Sequence, residues 1–189
     1  MVDKETQCKP PTEQMAACRA LCLGVVIMRG EFEQVIQAIH EPAVVGMNKG
    51  LIADSQAWAR REGLASHLTD REKAFLGKPA GAWGPQELAG VKGCAESLGV
   101  ILWALSLITT LPPPDTPFAQ PDVIRRLRLL KPTKDFFQQV KLRAQEEISD
   151  SFEVYERLLN DGKEAPLVGE RHSALGWLTG HSGNWDWGQ

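Results

Sequence analysis

The residues of this chain best suited to chemistry lie close together near its C-terminus. Glu170, Arg171 and His172 are adjacent, and Asp186 follows in a tryptophan-rich tail. Histidine titrates near neutrality and is the usual proton-transfer group. A carboxylate bonded to one ring nitrogen would orient the other toward a substrate. Arginine offers a planar fork that can clamp a carboxylate or phosphate bidentately. Glu96 joins the group because it stands among Leu and Val residues in a segment expected to be enclosed, where an ionised carboxylate needs a partner. On this reading His172, Glu96 and Asp186 are the catalytic candidates, and Arg171 and Glu170 the binding candidates.

The same residues also suit a structural role, which the residue types favour. Glu96 could pair with Arg171 as a buried link between two helices. Glu170 could sit near the N-terminus of the last helix, where a negative charge is favoured. His172 could bond a backbone carbonyl, and Asp186 could lock the tail. Adjacent helical residues also point about 100° apart, so Glu170, Arg171 and His172 cannot all face one pocket equally.

Other catalytic templates fail. The chain has no GxSxG, no HExxH and no Walker-type phosphate loop. Gly77-Lys78-Pro79-Ala80-Gly81 reads as a turn, in which proline removes a backbone donor that anion binding would use. Cys8, Cys18, Cys22 and Cys94 form no CxxC pair. Cys18 and Cys22 are spaced to share a helix face, but no further ligand has matching local spacing. No metal and no cofactor are expected.

Helices must position these groups. From Thr12 the apolar residues Leu21, Val25, Met28, Phe32, Val35 and Ile39 recur at steps of three and four, on one helix face; Gly30 is a place to bend or interrupt it, and Pro42 ends it. A second helix is expected over about 48–62, with Gly63 as its stop. Thr69 and Glu72 form a capping box that opens a short helix to Leu76. Pro85 starts the next helix, apolar on all sides from Val100 to Leu107 and expected to run to 109. A proline-rich loop covers 112–121, and a short helix follows Asp122. Thr133 caps a further helix whose stripe runs through Phe137, Val140, Ala144 and Ile148 to Leu159, with a kink near Ser149-Asp150. The last helix spans Leu167 to Thr179, ended by Gly180. Trp177, Trp185 and Trp187 are expected to cluster with Trp103. Alternating β-branched runs are absent. The fold expected is all-α: a loose leader at 1–11, then a single irregular multi-helix domain at 12–189 around the helix at 85–109.

Composition bounds the rest. The chain has 189 residues, 43% of them hydrophobic and 24% charged, so it can bury a core without disulfide or metal. Its net charge of −3 argues against general attraction to nucleic acid. Arg125, Arg126, Arg128, Lys131 and Lys134 read as a solvated face rather than a phosphate patch. The longest uncharged run, Ser97 to Leu111, is shorter than a membrane span. The N-terminus carries charges and two prolines and does not read as a secretory signal. A cytoplasmic location is expected, where thiols stay reduced.

Gly169-Glu170-Arg171-His172-Ser173-Ala174-Leu175-Gly176-Trp177-Leu178, followed by Trp185-Asp186, resembles the C-terminal signature of the family called domain of unknown function 4272. Trp58 with Gly63-Leu64, then Leu68-Thr69 and Glu72 through Phe75-Leu76, resembles its first half. Glu96 with Leu102-Trp103-Ala104-Leu105 resembles its central helix. The resemblance covers roughly 13–187 and implies a helical fold, but no reaction. With no complete catalytic constellation, the leading expectation is a non-enzymatic protein-interaction or ligand-binding module, its partner a protein or a second copy of itself. The alternative is a small enzyme using His172 as acid–base and Arg171 as anion clamp. A weaker one is a toxin-neutralising protein.

Overall fold

The computed structural model describes residues 8–162, 166–183 and 185, and within them every regular element is helical. Helix α1 (Glu13–Ala38) begins where Thr12 Oγ1 accepts the N–H of Met15 at 3.3 Å, a side-chain cap of an otherwise orphan donor. It runs through Gly30 without a break. A side chain at Gly30 would collide with Val91, so this glycine serves close helix approach and not a bend. Helix α2 (Pro42–Arg61) starts earlier than the sequence suggests. Pro42 occupies its first turn, where the missing N–H is harmless, so the proline that ends one helix also opens the next.

A 3₁₀ turn (Leu64–Ser66) leads to α3 (Asp70–Gly77), which carries the expected capping box between Thr69 and Glu72. Helix α4 (Pro85–Ala104) is enclosed as expected but ends before 109. Ser106 adopts φ 60°, the N–H of Ser106 bonds Trp103 O at 2.9 Å, and the N–H of Leu107 bonds Leu102 O at 2.9 Å. This is a Schellman ending with serine where glycine is usual. Because glycine is the residue that signals such an ending, the apolar run read on past it.

Helices α5 (Gln120–Leu127) and α6 (Thr133–Phe137) are short. The single helix expected from Thr133 to Leu159 is two elements, because α7 (Gln145–Asn160) starts afresh. Between them the chain serves α4: the N–H groups of Lys141 and Arg143 bond the carbonyls of Leu105 and Ala104 at 3.2 and 2.8 Å. Ser149 and Asp150, the expected kink, lie inside unbroken helix. Helix α8 (Pro166–Thr179) ends where expected, at Gly180 with φ 80°. Cys8 donates its N–H to Gly180 O at 2.9 Å, so residue 8 lies against the end of α8.

Two helices form the centre. Every residue from Ala16 to Gly30 of α1 is buried, and so is every residue from Cys94 to Ala104 of α4. The sequence pattern points to one apolar face on α1, yet the only charge between Met15 and Met28 is Arg19, and the structure covers all sides there. α2 packs on α1, α8 packs on α4, and α7 packs on α8. Gly99 leaves room on α4 for the ring of Phe118 from the proline-rich loop. Among the described residues no helix is long and apolar enough to cross a membrane.

Candidate functional site

Arg171 and Glu96 meet in the core. Arg171 is wholly buried and Glu96 nearly so. Nε of Arg171 donates to Glu96 Oε2 at 2.7 Å, and Nη2 lies 2.7 Å from the same oxygen. The remaining donors reach the proline-rich loop and α7. Nη1 donates to Pro112 O at 3.1 Å, Pro113 O at 3.0 Å and Tyr155 Oη at 3.0 Å, while Nη2 donates to Thr116 O at 2.6 Å. Glu96 Oε1 accepts the N–H of Phe118 at 2.9 Å. Every nitrogen of Arg171 is engaged by the protein, so none remains to clamp a substrate anion. The pair holds α8 to α4 and fastens the loop between them.

Glu170 and His172 diverge from Arg171, as the 100° step requires. Glu170 lies over Gly93, whose missing side chain leaves space for the carboxylate: a Cβ there would sit 2.5 Å from Oε1. Ser97 Oγ reaches Glu170 Oε2 at 3.5 Å. Burial pushes the Glu170 carboxyl above its ordinary value, and the neighbouring charge of Glu96 adds to this. His172 stacks on Phe152 with ring centroids 4.8 Å apart, and His181 also stacks on Phe152, at 4.4 Å. His172 Nε2 is buried with no hydrogen-bond partner among the described residues. Burial pulls its pKa below 6.5. Glu96 thus serves Arg171 and Phe118, and His172 serves an aromatic stack, so the structure does not bring them together as an acid–base pair. Asp186 and Trp187 lie outside the described residues. Trp185 packs back on the domain, edge-on to Trp177 at 5.1 Å and under the guanidinium of Arg19. Among the described residues Trp103 makes no ring contact with Trp177 or Trp185, and the guanidinium of Arg143 lies over its ring.

Two more arginines repeat the device. Arg19 Nη2 donates to Glu72 at 2.5 and 2.6 Å and its Nη1 to His67 O at 3.3 Å. Arg29 donates to Glu33 through Nε at 2.8 Å and Nη2 at 2.5 Å, and Nη2 also meets Lys78 O and Pro79 O at 3.0 Å. Glu33 in turn accepts the N–H of Gly81.

These anchors frame a cleft of about 470 Å³ between α2 and α3, with α1 as its floor. That volume falls in the range of small-molecule sites. Val25, Ile52 and Leu76 supply apolar wall. Arg29, Lys49, Arg60, Lys73 and Lys78 line it as well, and no Asp or Glu does. Lys73 pairs with Asp70, and Lys78 with Glu87, both outside the lining. Lys49 and Arg60 have no ion pair among the described residues. These residues carry one signal in the sequence. Lys49, Ile52, Ala53, Gln56 and Arg60 follow the three–four rhythm on one face of α2, with a cation at each end.

The cysteines offer no nucleophile in the core. Burial pushes the Cys22 thiol up to about 12 and raises those of Cys94 and Cys18 as well. Among the described residues no three His, Cys, Asp or Glu groups are placed to hold a metal ion.

A family model described as "Domain of unknown function (DUF4272)" matches residues 1–187. No curated protein and no solved structure matches the chain.

Proposed function

We propose that this chain, which belongs to the DUF4272 family, acts as a non-enzymatic binding module for a small organic anion. One observation carries the reading: a cleft with five cationic side chains and no acidic one in its lining, on a protein whose net charge is −3. An acidic protein that gathers cations around one concave, partly apolar surface makes a local well for negative charge. The apolar wall of Val25, Ile52 and Leu76 adds burial of a hydrocarbon portion. The module needs no acid–base pair, in keeping with His172 and Glu96 being engaged in separate structural roles.

Calorimetric titration with decanoate, and with decan-1-ol as its uncharged counterpart, tests the reading. Decanoate is expected to bind and the alcohol to bind more weakly. Lys49→Gln and Arg60→Gln remove exposed cations without touching the core, and at least one is expected to weaken decanoate binding. Absence of binding by both decanoate and phenyl phosphate would overturn the reading.

A further inference from the structure

The cations of the cleft are not spread evenly, and their distribution follows from how the helices are laid down. α1 and α2 are joined by the short connection 39–41, so they form an antiparallel hairpin. Cys22 Sγ reaches Leu64 O at 3.7 Å, which sets the C-terminal end of α2 beside Cys22. α3 runs the same way as α1. Arg19 holds its first turn through Glu72, and Arg29 holds the carbonyls of Lys78 and Pro79 just past its end.

Arg29, Lys49 and Lys78 therefore share one end of the cleft, and Arg60 and Lys73 the other. Between them the wall is Val25, Ile52, Ala53 and Leu76, with Gln56 bonded across to Leu76 O at 2.5 Å. Lys49 and Arg60 are close to three turns apart on α2, roughly 16 Å along its axis. Arg29 is 1% exposed and lines the cleft, with its charge paired to Glu33. A guanidinium at the cleft wall offers charge-assisted hydrogen bonding to one end of a ligand.

From this arrangement we infer that the cleft takes an elongated dianion, a linear apolar chain with an anionic group at each end. The α,ω-dicarboxylates are the simplest members of that class. One head group meets Arg29, Lys49 and Lys78, the other meets Arg60 and Lys73, and the hydrocarbon lies along Val25, Ile52 and Leu76. A monoanion would leave one cationic end unmatched, and a compact dianion would leave both its charges at one end and the apolar wall bare. This inference rests on the cleft being an anion site, and the two can fail separately.

The experiment is calorimetric titration of the full chain with a homologous series from hexanedioate through dodecanedioate to hexadecanedioate, each beside the monocarboxylate of equal length. The expected result is an affinity maximum at an intermediate length, with the best dicarboxylate about threefold to tenfold tighter than its monocarboxylate. Lys49→Gln and Arg60→Gln should each bring that dicarboxylate close to the monocarboxylate affinity. Equal affinities for mono- and dicarboxylates, or sensitivity to only one of the two substitutions, would overturn the dianion inference and leave the anion site standing. No binding by any member, charged at one end or two, would overturn both.

Discussion

Arg171 on α8 and Glu96 on α4 lie 2.7 Å apart across the core, and the same guanidinium accounts for three carbonyls of the proline-rich loop. The pair is a fastening between two helices and a loop that has no regular structure of its own. Arg19–Glu72 and Arg29–Glu33 do the same for the segments around His67 and Pro79. In each case a buried charge is compensated by a carboxylate, and the guanidinium also donates to at least one backbone carbonyl.

Arg171→Met should therefore destabilise the fold by about 3–5 kcal/mol, since it leaves the Glu96 carboxylate buried and unpaired. Arg171→Lys should rescue little of this, because an ammonium cannot reach the same spread of acceptors. The double variant Arg171→Met with Glu96→Leu should lose less than Arg171→Met alone. Urea unfolding of the three variants measures it, and equal losses in single and double variants would refute the account.

Arg143 closes the C-terminal end of α4. It donates to Trp103 O at 2.7 Å, Ile108 O at 3.1 Å and Thr109 O at 3.0 Å, with its guanidinium over the Trp103 ring. Arg143→Ala should cost about 1–3 kcal/mol and lower the thermal midpoint. Amide exchange in Leu102–Leu107 should accelerate with it. Unchanged exchange there would show that the serine-based helix ending holds without the arginine.

Glu170 binds its proton more tightly in the folded state than its ordinary value of 4.5. As pH rises past 4.5 the unfolded chain ionises first, so folding stability falls until the buried carboxyl also ionises. Glu170→Gln keeps the shape over Gly93 and removes the charge. The variant should be more stable than the parent at neutral pH, and the difference should shrink as pH drops toward 4.5. Denaturant midpoints across that window decide it, and a variant that is less stable at neutral pH would contradict the burial argument.

His172 behaves in the opposite sense. Its pKa is lowered from 6.5 by burial, so below pH 6.5 the unfolded chain takes up a proton that the folded chain resists. Stability should drop as pH falls from that point. His172→Phe preserves stacking on Phe152 and removes the unpaired Nε2. It should flatten the pH dependence below 6.5. The test is a comparison of unfolding midpoints between the two proteins, and parallel slopes would assign the dependence elsewhere.

Much of this architecture was legible in the residues themselves. Thr69 and Glu72 announce a helix start because both partners of the cap are local. Pro85 and Gly180 mark helix ends through their own backbone preferences. The enclosed helix through Leu98 and Leu102 follows from apolar residues on every side. The need of Glu96 for a partner is likewise a property of a carboxylate among aliphatics. These signals reach no further than a turn or two along the chain.

What tertiary structure decided were the contacts between distant segments. α4 stops at Ala104 because Arg143 and the N–H groups of 141 and 143 take its carbonyls, and nothing between Val100 and Leu107 foretells it. The proline-rich loop, remote in sequence, supplies the carbonyls that accept from Arg171 beside Glu96. The cleft arises from three helices laid side by side, and the cations at its ends come from segments as far apart as Arg29 and Lys78. Local sequence sets backbone preference and the cost of burying each group, and only the packed fold determines which distant groups meet to offset that cost.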